Sequence, residues 1–146
     1  MAKALYTLEV TITGGLMTDD FVARNPVISR TIEIRADQTL NQLHRTIFQA
    51  FDRWDDCHLS EFNMGSGVHD RGGDRYVLQF IYDDPDEVAF YEEQVPTGSM
   101  ERTRVGKLDL RSGQGFWYWY DYGDNWVHRI TVVAIGEAEP KVKYPR

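Results

Sequence analysis

The chain has almost no cysteine: Cys57 stands alone among 146 residues. No intramolecular disulfide can form, and no Cys-rich zinc pair can be assembled. Cys57 follows Asp55 and Asp56, whose charges disfavour a thiolate, so cysteine nucleophilic chemistry is not expected. There is no apolar run of about 18 residues, the minimum for a membrane span. The first residues lack the basic stretch and apolar core of a secretory signal, so the expected location is the cytoplasm. Positive charge is scarce too. Lys and Arg total 16 against 23 Asp and Glu, for a net charge of −7 and a pI near 5.0. Non-specific nucleic-acid affinity depends on Lys and Arg neutralising phosphates, so the balance argues against that partner. The GxSxG elbow, the Walker loop and HExxH are all missing.

Aromatics, by contrast, are plentiful. Hydrophobic residues make up 42% of the chain and aromatics 13%, a composition that folds rather than one that stays disordered. The length suits one domain. We expect a single α+β domain over residues 1–136 and a flexible C-terminal tail over 137–146.

Leu5 to Thr13 alternates apolar and polar residues, as a half-buried strand does. Val27 to Arg35 reads as a second strand, with Arg30 on the face of Ile28, Ile32 and Ile34. Thr39 and Gln42 form a capping-box pattern. Leu40, Leu43, Ile47, Ala50, Phe51 and Trp54 then recur at helical spacing, with His44 on or beside the apolar face. Strands are expected at His58 to Met64 and Arg75 to Tyr82, with another short one within Thr103 to Leu110. Asp84 and Pro85 resemble a helix start running to about Gln94. These elements suggest a mixed sheet with one main amphipathic helix packed on it in a β-grasp-like arrangement, plus a second short helix.

Phe116 to His128 reads FWYWYDYGDNWVH. With a four-residue turn from Tyr122 to Asn125, Asp121 faces Trp126, Trp119 faces His128 and Trp117 faces Ile130. Those side chains then share one face, although a one-residue slip would reverse the grouping. Large rings and a turn-bonding Asp are explained by packing alone. They also suit a recognition cleft with aromatic walls and a polar floor. The candidate binding residues are Trp54, Trp117, Trp119, Asp121, Asp124, Trp126 and His128. No catalytic residue is assigned, and the ligand would be a small molecule or a protein.

His44, His58 and His128 lie on separate predicted elements. With Asp121 or Asp124 they could hold zinc or another divalent metal, though nothing in their spacing requires it. Arg102, Arg104, Lys107 and Arg111 form the one basic stretch. It precedes the aromatic strand, the layout of a single-strand binder with cations on phosphates and rings under bases.

Four segments, taken in order, resemble the plasmid pRiA4b ORF-3-like family. Tyr120 to His128 is similar to its Tyr-Asp-Phe-Gly-Asp-x-Trp-x-His signature. Leu40 to His44 is similar to its Leu-x-x-Leu-His helix start. Trp54 to Phe62 resembles its Trp-Asp-x-x-His-Leu-x-x-Phe segment, and Pro26 to Arg30 its Pro-x-Ile-Trp-Arg strand. Ser29 stands where the family commonly has Trp, and Arg53 where it commonly has Gly. The resemblance implies a prokaryotic α+β domain of uncharacterised function. Some relatives carry a transposon-resolvase label, but a recombinase needs an arginine-rich site that this acidic chain does not offer. Three readings follow. The favoured one is a cytoplasmic binding module using the aromatic-acidic hairpin. The others are an enzyme or metal protein with a His/Asp site, and a nucleic-acid-associated accessory of mobile elements.

Overall fold

The computed structural model describes residues 3–53, 58–84, 86 and 95–146. The strands are β1 (Ala4–Gly14), β2 (Ser29–Arg35), β3 (Ser60–Asn63), β4 (Arg75–Val77), β5 (Gly98–Ser99), β6 (Gly115–Tyr120) and β7 (Trp126–Glu137). The helices are α1 (Asp19–Arg24), α2 (Leu40–Ala50) and α3 (Gln79–Tyr82), with a 3-10 turn at Val105–Leu108. One mixed sheet runs in the order β2-β1-β7-β6-β3-β4-β5. Its pairs are antiparallel except β4 with β5. The fold is α+β. The β1–β2 pair with α2 on its face is the β-grasp-like part, and β1 runs antiparallel to the last strand.

Helix α2 forms where the sequence pattern places it. The Thr39 hydroxyl accepts from Gln42 N at 3.2 Å, and Thr39 N donates to Gln42 Oε1 at 2.8 Å. Leu40, Leu43 and Ile47 point into the sheet and are fully buried. Each contributes roughly 1.5–3 kcal/mol. They meet Leu8, Val10, Ile32, Ile34, Phe62, Phe116, Tyr118 and Ile130 in one core. Thr39→Ala should lower stability by about 1 kcal/mol with the sheet intact, read as a lower urea midpoint at unchanged slope.

Several elements differ from the sequence reading. The helix stops at Ala50 rather than running to Trp54, because Asp52 takes a left-handed φ of 54° and turns the chain. Arg75 to Tyr82 splits after Val77. The Glu101 carboxylate accepts from Gln79 N at 3.0 and 3.2 Å and so starts α3 from a distant loop. Gly98 and Ser99 form β5, a strand that no sequence pattern marks. The strand expected within Thr103 to Leu110 is a 3-10 turn. Its backbone is tied to the start of α2 by Val105 N to Gln38 O and Gly106 N to Ala36 O. The helix expected from Asp84 to Gln94 falls mostly outside the described residues.

The expected loose tail is held down. Residue Glu137 still belongs to β7, and Tyr144 is buried. Arg146 and Glu33 exchange two backbone hydrogen bonds of 2.8 and 3.0 Å along the edge of β2. The Arg146 guanidinium also meets the Glu33 carboxylate at 2.7 Å. An edge strand with unpaired amides is covered in this way.

Candidate binding cleft at the hairpin turn

The last hairpin has a five-residue connection, one longer than the four expected. Tyr120 faces Trp126, Tyr118 faces His128 and Phe116 faces Ile130. Asp121 is not a strand residue, because it and Asn125 adopt left-handed φ values of 61° and 62°. The Asp121 carboxylate accepts from Gly123 N and Asp124 N, both at 3.1 Å. Asn125 N closes the loop onto Asp121 O at 2.6 Å. This side-chain turn is a common use of Asp. Its effect is to slip the register by one.

The slip reverses the grouping of the rings. Phe116, Tyr118, Tyr120, Trp126, His128 and Ile130 face α2. Trp117 and Trp119 lie on the opposite face, where Arg129 stands over Trp117 at 5.8 Å. Trp119 packs between His69 at 4.6 Å and Tyr122 at 4.2 Å. One tryptophan of the hairpin, Trp126, remains on the face with His128. Trp54, the other expected binding residue, lies outside the described residues.

A cleft of about 250 Å³ opens where the turn meets the exit of α2. Tyr120 and Trp126 supply its rings, and Asp52, Asp121 and Asp124 its carboxylates. Arg53 and His58 complete it. Gly15 lets Trp126 settle, since a Cβ there would lie 2.2 Å from the indole Cε3. His58 Nδ1 is 3.5 Å from Asp121 Oδ2, and its ring meets Tyr120 edge-on at 5.9 Å.

Arg53 occupies the middle of this arrangement. Its guanidinium carbon lies 5.3 Å from the Phe51 ring centre, 5.3 Å from Tyr120 and 5.6 Å from Trp126. Those distances are within cation–π range. Nη2 donates to His128 Nε2 at 2.7 Å. Nη1 is buried with no hydrogen-bond partner among the described residues. Burial draws the guanidinium below its ordinary pKa.

His128 is the support beneath the cleft, with no exposed surface. Arg53 can only donate, so Nε2 accepts, and Nδ1 carries the proton to Tyr118 O at 3.1 Å. Burial, then the nearby Arg53 charge, holds His128 down to about 3. A neutral ring with both nitrogens engaged has no lone pair left for a metal. His44 belongs to another cluster, 2.5 Å from the Tyr118 hydroxyl through Nδ1. Tyrosine rings thus stand beside the three candidate ligand histidines: Tyr118 against His44 and His128, Tyr120 against His58. Among the described residues, no three His, Cys, Asp or Glu come together as a metal ligand set.

Two further residues were invisible to sequence reasoning. In the sequence Arg53 stands out only as a departure from a family pattern, because nothing local says that a charge after a helix end folds back onto rings. Glu61 looked like an ordinary strand residue. It is 2% exposed on the face with Trp119, and its Oε2 has no hydrogen-bond partner among the described residues. Burial lifts it to about 7, against the opposing pull of the Tyr122 hydroxyl and the Arg75 charge.

A sheet with one main helix and a polar-aromatic turn at its end defines a small α+β domain, and residues 20–146 match the family model for the plasmid pRiA4b ORF-3-like protein. The chain belongs to that family. It is also similar to a crystal structure of a protein of unknown function, MM3350, from Methanosarcina mazei Go1. The two share 25% identity at a TM-score of 0.68, over 99% of this chain and 68% of that one. No curated protein matches the chain. No helix among the described residues is long and apolar enough to cross a membrane.

Proposed function

We propose that this chain is a cytoplasmic binding module whose ligand, a small molecule or a protein segment, seats in the cleft between the α2 exit and the hairpin turn. One observation carries the reading. A half-buried guanidinium stands among aromatic rings in a cleft with three carboxylates, yet pairs with none of them among the described residues. Charge left uncompensated in a ring-lined concavity is a feature of recognition sites. Two of the titratable groups at the turn have structural duties. Asp121 holds the turn, and His128 is neutral and buried. That favours binding over catalysis.

A thermal-shift screen of small cations, anions and neutral polar molecules tests the reading. Hits should lose at least about tenfold in affinity in Trp126→Ala, a loss expected for one stacking contact in a desolvated site. They should weaken in Asp124→Asn. Hits that survive both changes undamaged would sink the proposal.

The nucleic-acid reading finds less support. Arg104 and Lys107 line a shallow depression with Lys3, but Asp37 and Asp109 share it and no ring does. Micromolar protein should leave labelled single- and double-stranded oligonucleotides unshifted at low salt. A shift that declines steeply with added salt would revive that reading.

A further inference from the structure

We infer that the cleft is a guanidinium-recognition site and that Arg53 is its built-in, displaceable occupant. The inference rests on the binding reading above and supplies its ligand chemistry: a guanidino group, either free in a small molecule or carried by an arginine side chain.

The enclosure around Arg53 has the parts such a group needs. Phe51, Tyr120 and Trp126 present rings within 5.6 Å of the guanidinium carbon. Stacked rings suit a planar, weakly hydrated cation better than a compact ammonium. His128 supplies a neutral acceptor at 2.7 Å, fixed by its own bond to Tyr118 O. Asp52, Asp121 and Asp124 lie around the same cleft. Among the described lining residues, the three carboxylates and one guanidinium sum to a formal charge of −2, or −3 once Arg53 swings out. The cleft therefore attracts cations in either state.

Arg53 fills the enclosure imperfectly. Its Nη1 is buried without a hydrogen-bond partner among the described residues, a state that costs free energy. The residue before it, Asp52, sits at a left-handed φ of 54°, which a side-chain-bearing residue adopts at a cost. Asp52 and Asp124 form no ion pair among the described residues. An untethered guanidinium can turn its free N–H groups toward those carboxylates, a pairing that Arg53 does not make.

The test is a titration followed through the backbone amide signals of Asp52 and Asp124, which line the cleft, at constant ionic strength, on the unaltered chain, Arg53→Ala and Arg53→Ala with Trp126→Ala. The probes are ethylguanidinium, a Gly-Arg-Gly peptide and ethylammonium. Arg53→Ala should take ethylguanidinium saturably, at least about tenfold more tightly than the unaltered chain does, since the competing side chain is gone. It should prefer ethylguanidinium to ethylammonium, and the double variant should lose the response. Tighter binding of the peptide would place the guanidino group on a protein partner. Equal binding would leave it in small molecules, and both outcomes support the site. If Arg53→Ala is unfolded in buffer, ethylguanidinium should restore its far-UV circular dichroism where ethylammonium does not. No saturable response and no recovery, or equal responses to the two cations, would overturn the inference. In that case, cleft-directed hits from the screen that carry no cationic group would leave the binding module standing. Absence of such hits would remove both.

Discussion

Glu61→Gln will melt at the same temperature as the unaltered protein below pH 4 and well above it at pH 8. Burial raises the Glu61 carboxyl from 4.5 to about 7. Between those values the unfolded chain has released a proton that the folded chain keeps. Stability therefore falls as pH rises through this window, by about 3 kcal/mol in all. The amide of Gln carries no charge, so the variant escapes that loss. For a chain of this size the gap at pH 8 is on the order of 8 °C. Thermal unfolding by circular dichroism at pH 4, 6 and 8 measures it. A gap that does not widen with pH would mean that Glu61 is ionised in the fold and stabilised there by Arg75.

His128→Ala should be the more damaging change at neutral pH. It removes a ring with no exposed surface and leaves both Tyr118 O and Arg53 Nη2 without their partner. The void and the unsatisfied groups together should cost about 3–5 kcal/mol. The pH dependence carries the opposite sign to that of Glu61. His128 is held from 6.5 down to about 3. As pH falls below 6.5 the unfolded chain takes up a proton that the folded chain refuses, so stability is lost toward pH 3. The alanine variant lacks this dependence, and its stability should fall less steeply over that range. Urea unfolding at pH 7 and pH 5 separates the two effects. An unchanged slope would show that His128 takes up a proton as readily in the fold as in the unfolded chain.

These residues also mark what could be read from the sequence. Helix α2 was legible because its cap and its buried face are both local: Thr39 with Gln42, then Leu40, Leu43 and Ile47. Strand β1 is legible from alternation, and β6 and β7 from apolar runs on either side of a turn signal. Register was not. It depended on whether Asp121 closes the first strand or opens the turn, and its left-handed φ of 61° decided that by a single residue. That slip moved Trp117 and Trp119 to the far face and kept Trp126 with His128. Helix α3 depended on a carboxylate 22 positions away, which no local pattern encodes. Glu61 and Arg53 show the same limit in electrostatic form. Each is a charged residue in an unremarkable local context, and each is buried by partners from other elements. Asp121, Asp124 and Trp126 were nominated and do line the cleft. Asp52 and Tyr120 line it as well and were not.

The central claim is that recognition takes place at the turn end of the hairpin, on the face of Trp126. Amide and indole correlation spectra recorded while a screen hit is titrated test it most directly. The account predicts that the Trp126 indole and the amides of Asp52, Arg53, His58 and Asp124 will move together along one saturation curve. The indoles of Trp117 and Trp119, on the other side of the sheet, should stay in place. Saturable movement of Trp117 and Trp119 with Trp126 unmoved would contradict it.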